Sequence, residues 1–245
     1  MRARFSAWIG GALIGLVCGA ASAAGLQVSP VTLTLQATQQ ADGLWLSNAG
    51  SVPLDAQVRV FRWTQVDGQE RLEPTRALIV SPPMLQLPVD GRQLVRVIRS
   101  GAPPAGPAEE SYRVLVDELP LPQADGQRGL SFVMRHSLPI FLAPAGAPPS
   151  PPQLQWTLQR QGDQAVLEVA NRGAIHAQLA DLVFTDAPGQ RTIVHAGLLG
   201  YVLPGATMRW PLKSAAATFT ATGQWQVMIN GSSAAQNIAP LDRRR

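Results

Sequence analysis

Cysteine, lysine and aromatic residues are all scarce in this chain. The only cysteine among 245 residues is Cys18, which excludes a disulfide framework and a thiolate metal cluster. No His-Glu-x-x-His pair, Gly-x-Ser-x-Gly elbow or Gly-rich phosphate loop occurs, so the common hydrolase and nucleotide signatures are missing. The 3 histidines, His136, His176 and His195, are isolated from one another and give no metal-ligand spacing. No catalytic residue, metal or cofactor is expected. Charge is sparse too, at 15% of residues. The net charge of +4 overstates the basic character, because Arg2 and Arg4 lie in the N-terminal leader and Arg243, Arg244 and Arg245 in the tail. The body is nearly neutral and has no basic stripe, so nucleic acid is not an expected partner.

Residues 1–23 combine two arginines, an apolar run and Ala21-Ser22-Ala23. That is the charged region, apolar region and small-residue cleavage site of a secretory signal. The remaining chain has no segment apolar enough to span a bilayer.

A helical apolar stripe longer than a turn or two is also absent. Short alternating runs bounded by Gly, Pro, Asn and Asp replace it, which predicts an all-β sandwich architecture. Strands are expected over 26–35, with a break at Pro30, and over 43–47, 54–63, 78–81, 84–87, 92–99, 112–119 and 130–144. After the Pro-rich linker 146–152 the pattern restarts over 154–159, 165–171, 177–184, 191–198, 207–212 and 224–229. Two domains follow from this, 24–145 and a smaller 153–245, with no sequence repeat between them.

The organising stretch is 130–144, LSFVMRHSLPIFLAP. Leu130, Phe132 and Met134 point one way and Ser131, Val133 and Arg135 the other, the period of a strand. Its place at the seam of two domains makes it either a core strand or an edge offered to a partner. Two charges fall on apolar strand faces: Arg96 between Leu94 and Ile98, and Glu118 beyond Val114 and Val116. They are expected either to pair, since an isolated buried charge costs several kcal/mol, or to meet solvent at strand ends.

Three stretches, in order, resemble the periplasmic chaperones of the chaperone–usher pathway, which assemble pili in Gram-negative bacteria. They are Ser81-Pro82-Pro83 with Leu87 and Gln93-Leu94-Val95-Arg96-Val97; Tyr112 through Asp117-Glu118-Leu119-Pro120; and the run ending Ile140-Phe141-Leu142-Ala143-Pro144. The resemblance implies two immunoglobulin-like domains set at an angle, with a cleft between them. It implies a periplasmic protein that lends a strand to fimbrial subunits and delivers them to an outer-membrane usher, a case of strand addition. The donor side chains map to Leu130, Phe132 and Met134, whose burial supplies about 5–8 kcal/mol before ordering costs.

In the family an arginine and a glutamate of the first domain meet an acidic residue of the second and fix the inter-domain angle. Arg96 and Glu118 match the first two; the stretch corresponding to the third, about 219–225, has no acidic residue, so either the pair stands alone or Asp181 or Asp186 substitutes. The family's basic carboxylate-binding positions fall on Thr32 and Pro139, so the anchor is expected at Arg135, Arg59 or Arg62. This departure resembles the archaic branch of the family. An exposed apolar edge also predicts self-association of the unloaded chain, as a dimer. The alternative reading is a secreted adhesion module or fibre subunit. A subunit, however, carries its own N-terminal donor extension, and here the first strand follows the leader almost directly.

Overall fold

The computed structural model describes residues 25–120, 133–146, 148–220, 222–236 and 238–242. The leader, Leu130, Phe132 and most of the loop expected over 120–129 lie outside the described residues.

Among the described residues, eighteen strands run in chain order. The first ten are β1 (Leu26–Ser29), β2 (Leu33–Leu35), β3 (Ala41–Asn48), β4 (Leu54–Val66), β5 (Gln69–Pro74), β6 (Leu78–Ser81), β7 (Met84–Leu87), β8 (Arg92–Arg99), β9 (Glu110–Leu119) and β10 (Arg135–Leu142). They form a four-stranded sheet, β1-β3-β8-β6, packed on a six-stranded one, β2-β10-β9-β4-β5 with β7 also on β4. Between them lies a core of alternating inward residues, among them Leu35, Leu44, Leu46, Val95, Val114 and Ile140. Truncating any one of these to Ala is worth about 2–5 kcal/mol.

Then come β11 (Leu154–Gln161), β12 (Gln164–Asn171), β13 (Ala177–Thr185), β14 (Arg191–Val202), β15 (Thr207–Ala215), β16 (Gln224–Ile229), β17 (Ser232–Gln236) and β18 (Ala239–Asp242). These make two four-stranded sheets, β15-β12-β11-β18 and β14-β13-β16-β17, around a second core. There Phe184, Phe219 and Trp225 cluster with ring centroids 4.9–5.4 Å apart.

The sequence expectation places most of these strands and misses three. β5 is exposed at every position and has no apolar periodicity to betray it. β17 is small and polar (SSAAQ), and β18 lies in the last few residues. The stretch 26–35 is two strands in different sheets, because the chain changes sheet at Pro30.

Each sandwich is closed by the same device, at the end of β3 in the first and of β12 in the second. Asn48 donates from Nδ2 to the carbonyls of Val52, Leu87 and Pro88 and accepts the Gly50 N–H on Oδ1. Asn171 donates to Ile175 and Val202 and accepts from Gly173 and Gln153. Both side chains are buried, and their full hydrogen bonding is what makes a buried amide tolerable there.

Candidate functional site

The six-stranded sheet turns its outer face toward the second domain. On β4 and β10, Trp63 and Phe141 occupy that face and are fully buried against Tyr201, Leu203 and Ala206 of the second domain. The Trp63 and Tyr201 rings meet edge-on at 5.4 Å. The His176 ring lies flat on Phe141, with centroids 3.5 Å apart and planes at 4°. The His176 N–H and ring Nδ1 both sit 2.7 Å from Oε1 of Glu109. A carboxylate oxygen accepts only, so Nδ1 carries the proton.

Gln65 adds a two-way clamp. Its Nε2 donates to the Tyr201 carbonyl and its Oε1 accepts the Leu203 N–H, both at 2.9 Å. Past it the β4–β5 hairpin turns at Asp67-Gly68, both at positive φ, and Gly68 bridges Met208 of β15. The inter-domain angle is therefore set by an aromatic box, the Glu109–His176 pair and a hairpin that reaches across.

This corrects the expected lock. Arg96 points outward from β8 in the four-stranded sheet, whereas Glu118 lies on β9 in the other. No ion pair joins them among the described residues, because the sandwich core stands between. Glu118 instead receives the Met134 N–H at 3.3 Å on Oε2 and gives its own N–H to the Met134 carbonyl at 2.9 Å. Asp181 and Asp186 do not substitute for a third partner. Each accepts backbone N–H groups of its own sheet or turn, Gly197 for the first and Gln190 for the second.

The candidate anchoring arginines are all engaged internally. Asp117 is held between Arg59, at 2.6 Å, and Arg135. Burial opposes its ionisation, but hydrogen bonds from the two guanidinium groups outweigh burial and hold the carboxyl below its ordinary value. Arg62 pairs with Glu110 at 2.6 Å and donates to the Tyr112 hydroxyl at 2.8 Å. Burial, aided by the hydrogen bond to Glu110, pushes Tyr112 up to about 12. Thr32 is exposed and Pro139 buried.

Directly across from Pro139, however, stands Arg113 of β9. Its guanidinium lies 3.7 Å from the centre of the Trp63 ring and 5.3 Å from that of Tyr201. Only long contacts reach it, the Ser137 carbonyl at 3.4 Å and Glu70 at 3.5 Å, and its buried Nε has no partner. Burial lowers its pKa from the ordinary value despite Glu70, yet it stays cationic at any physiological pH. Arg113 is thus an underpaired cation on the cleft-facing side of the sheet.

β10 carries the organising stretch. Its whole length pairs with β9, but β2 covers its other edge only at Ile140, Phe141 and Leu142. Among the described residues, no strand pairs with that edge from Arg135 to Pro139. Leu138, Ile140 and Leu142 fill the first core, and Met134, on the same alternation one step beyond β10, is exposed. Among the described residues the inward row ends at half-buried His136 and exposed Met134. Beside it, Gln57, Arg59, Asp117, Val133 and Met134 line a hollow of about 340 Å³.

Sequence reasoning missed Glu109, His176, Gln65, Trp63 and Arg113. Ile140-Phe141-Leu142 held one usable signal: consecutive apolar residues break the alternation and mark a strand buried on both faces.

No helix among the described residues is long and apolar enough to cross a membrane. Residues 25–148 match the family model for the N-terminal domain of the pili and flagellar-assembly chaperone PapD, and residues 149–230 that for the C-terminal domain of the pili assembly chaperone PapD. No curated protein matches by sequence. Among solved structures, one similar chain belongs to the CsuC–CsuE chaperone–tip adhesion subunit pre-assembly complex from the archaic Csu pili of Acinetobacter baumannii. It has a TM-score of 0.69 and 25% identity, over 89% of this chain and 99% of that one. A chain of the SafA pilin–SafB chaperone complex of Salmonella enterica gives 0.58 and 17%, over 86% and 95%. The CupB2 chaperone of Pseudomonas aeruginosa gives 0.55 and 16%, over 86% and 97%. With both domain models matched in order along nearly all of the described sequence, the chain belongs to the periplasmic pilus-assembly chaperones of the chaperone–usher pathway.

Proposed function

We propose that this chaperone holds fimbrial subunits by extending β10 through Met134, Phe132 and Leu130, which enter the subunit's open groove as an added strand. The observation that carries this reading is the backbone edge of β10 from Arg135 to Pro139, with which no strand pairs among the described residues. In the sequence, Met134, Phe132 and Leu130 continue the alternation of Leu138, Ile140 and Leu142, with His136 between. Backbone hydrogen bonds supply affinity and the alternate side chains supply selectivity. The subunit's terminal carboxylate is held in the cleft by Arg113, whose N–H groups are the least satisfied of the arginines near it. Arg59, Arg62 and Arg135 keep their own carboxylates and steady the base of the donor segment. The chain acts in the periplasm after loss of residues 1–23, passes subunits to the outer-membrane usher, and self-associates through the same edge when unloaded. No catalytic step is involved.

The test is periplasmic co-expression with a subunit from the same fibre operon, comparing wild type, Phe132→Asp and Arg113→Ala. Wild type yields a soluble one-to-one complex. Phe132→Asp stays folded by circular dichroism and loses the subunit, and Arg113→Ala retains it at least 10-fold more weakly. A folded Phe132→Asp variant that still carries the subunit overturns the donor assignment.

A further inference from the structure

The central strand pair of the second domain's β14-β13-β16-β17 sheet is irregular. β13 slips against β14 after Leu179, around Asp181 and again after Leu182, and against β16 between Ala180 and Val183. Asp181 is left out of both ladders and takes a positive φ of 50°. Bulges of this kind re-aim side chains and gather beside binding sites. Here the bulge borders a hollow of about 310 Å³ on the outer face of the sheet.

Leu182 and Phe184 turn into the second core, and Val183 between them turns outward to form the floor of the hollow. Val183 is only 6% exposed, because Ile193 of β14 and Gln226 of β16 flank it across the strands. The floor is thus apolar, and the two ends carry opposite charge. At one end is Asp181, whose Oδ1 takes the Gly197 N–H at 2.7 Å. At the other is Arg191, which sits across from Thr185. Neither has an ion-pair partner among the described residues. His195 belongs to the β14 wall, and its Nδ1 is buried without a hydrogen-bond partner. A buried N–H is rarely left orphaned, whereas a bare lone pair is tolerated better, so the ring proton sits on Nε2. That nitrogen is the one left to donate.

We propose that this hollow binds a short free peptide as its zwitterion, with the ammonium group on Asp181, the carboxylate on Arg191 and one apolar side chain over Val183. The strand from Asp181 to Thr185 covers about 13 Å, and Asp181 and Arg191 line the same hollow. An extended tripeptide carries its two charges about 10 Å apart, a span that fits between them. By register, His195 and Gln226 stand beside the middle of the hollow, where the peptide's own amide groups need partners. The guanidinium fork of Arg191 suits a terminal carboxylate. The hollow shares no lining residue with β10 or the inter-domain junction, and the inference stands independently of the donor-strand reading.

The experiment is a nuclear magnetic resonance titration of the isotope-labelled, leader-free chain with the tripeptide Ala-Val-Ala. Versions acetylated at the N-terminus or amidated at the C-terminus are titrated beside it. The free peptide is expected to shift the His195 ring and Met228 methyl signals, and each blocked version to bind about 10-fold more weakly. Asp181→Asn keeps an acceptor for the Gly197 N–H and tolerates the positive φ, since asparagine visits that region readily. It erases the penalty of acetylation alone, and Arg191→Gln erases that of amidation alone. Equal binding of the three peptides, no shift at His195, or shifts confined to Trp63 and the cleft overturns the proposal. So does a doubly blocked Lys-Thr-Val-Thr-Glu peptide that shifts His195 where the free tripeptide does not, which makes the hollow a docking point for a partner's strand instead.

Discussion

Replacing Phe141 by Ala tests how the two domains are held. The ring is fully buried, stacked on His176 at 3.5 Å and flanked by Trp63 and Tyr201, each with ring centroids 6.3 Å away. Removing such a ring costs about 3–5 kcal/mol, of which about 0.5–1.5 belongs to the ring pairing itself. Phe141 projects from the face of β10 opposite to Ile140 and Leu142, so the first core keeps its contacts and the loss falls on the junction. At about 2–4 °C per kcal/mol for a cooperative unit of this size, the main transition drops by about 6–20 °C. By differential scanning calorimetry, wild type melts as one unit, whereas Phe141→Ala separates into two transitions. Phe141→Leu, which keeps most of the apolar volume, loses about 1 kcal/mol and stays coupled. Independent melting of the domains in wild type, or a loss under about 2 °C in Phe141→Ala, refutes the aromatic box as the coupling element.

Further outcomes follow from the charge network and the buried amides. Asp117 ionises below its ordinary value in the folded chain, so its contribution is present above the unfolded pKa of about 3.9 and is lost as pH falls through the folded value. Asp117→Asn should therefore cost about 1 kcal/mol at pH 7, limited by the exposure of both arginines, and flatten the acid limb of a urea-midpoint profile. Only 2 tyrosines are present, and ultraviolet titration should find Tyr112 still protonated until about pH 12. Asn171→Ala leaves four backbone groups without their side-chain partner. It should destabilise the second domain by about 2–3 kcal/mol, read from chemical denaturation.

The parts of the fold that were legible in the sequence are those with one buried face. β3, β4, β8 and β9 alternate because solvent and core take opposite sides, and Pro82-Pro83 marks a change of sheet as a break in pattern. β5 was illegible since nothing on it is buried; its role is to brace β4 and carry the hairpin across to Met208. The proposed donor row at Leu130, Phe132 and Met134 rests on alternation in the sequence, whereas the junction left no such pattern. Glu109 and His176 sit in segments with no periodicity, and their partnership exists only once two distant loops meet. Arg96 was singled out correctly as a charge among apolar neighbours. Alternation cannot tell an inner face from an outer one, and that is why a partner was sought for it on the wrong side of the sheet.

β10 joins the first domain from far along the chain, its Ile140 aligning with Leu33 in the single parallel pairing of that sandwich. When the chain is laid down from its N-terminus, nine strands are present before β10 arrives, and β2 and β9 have a vacant lane between them. At that stage the chaperone is itself a sandwich lacking its last strand. The pairing that closes it spans most of the domain, the kind of contact that forms slowly. The chain thus closes its own sandwich last, with a strand that among the described residues is paired on both edges only at Ile140, Phe141 and Leu142.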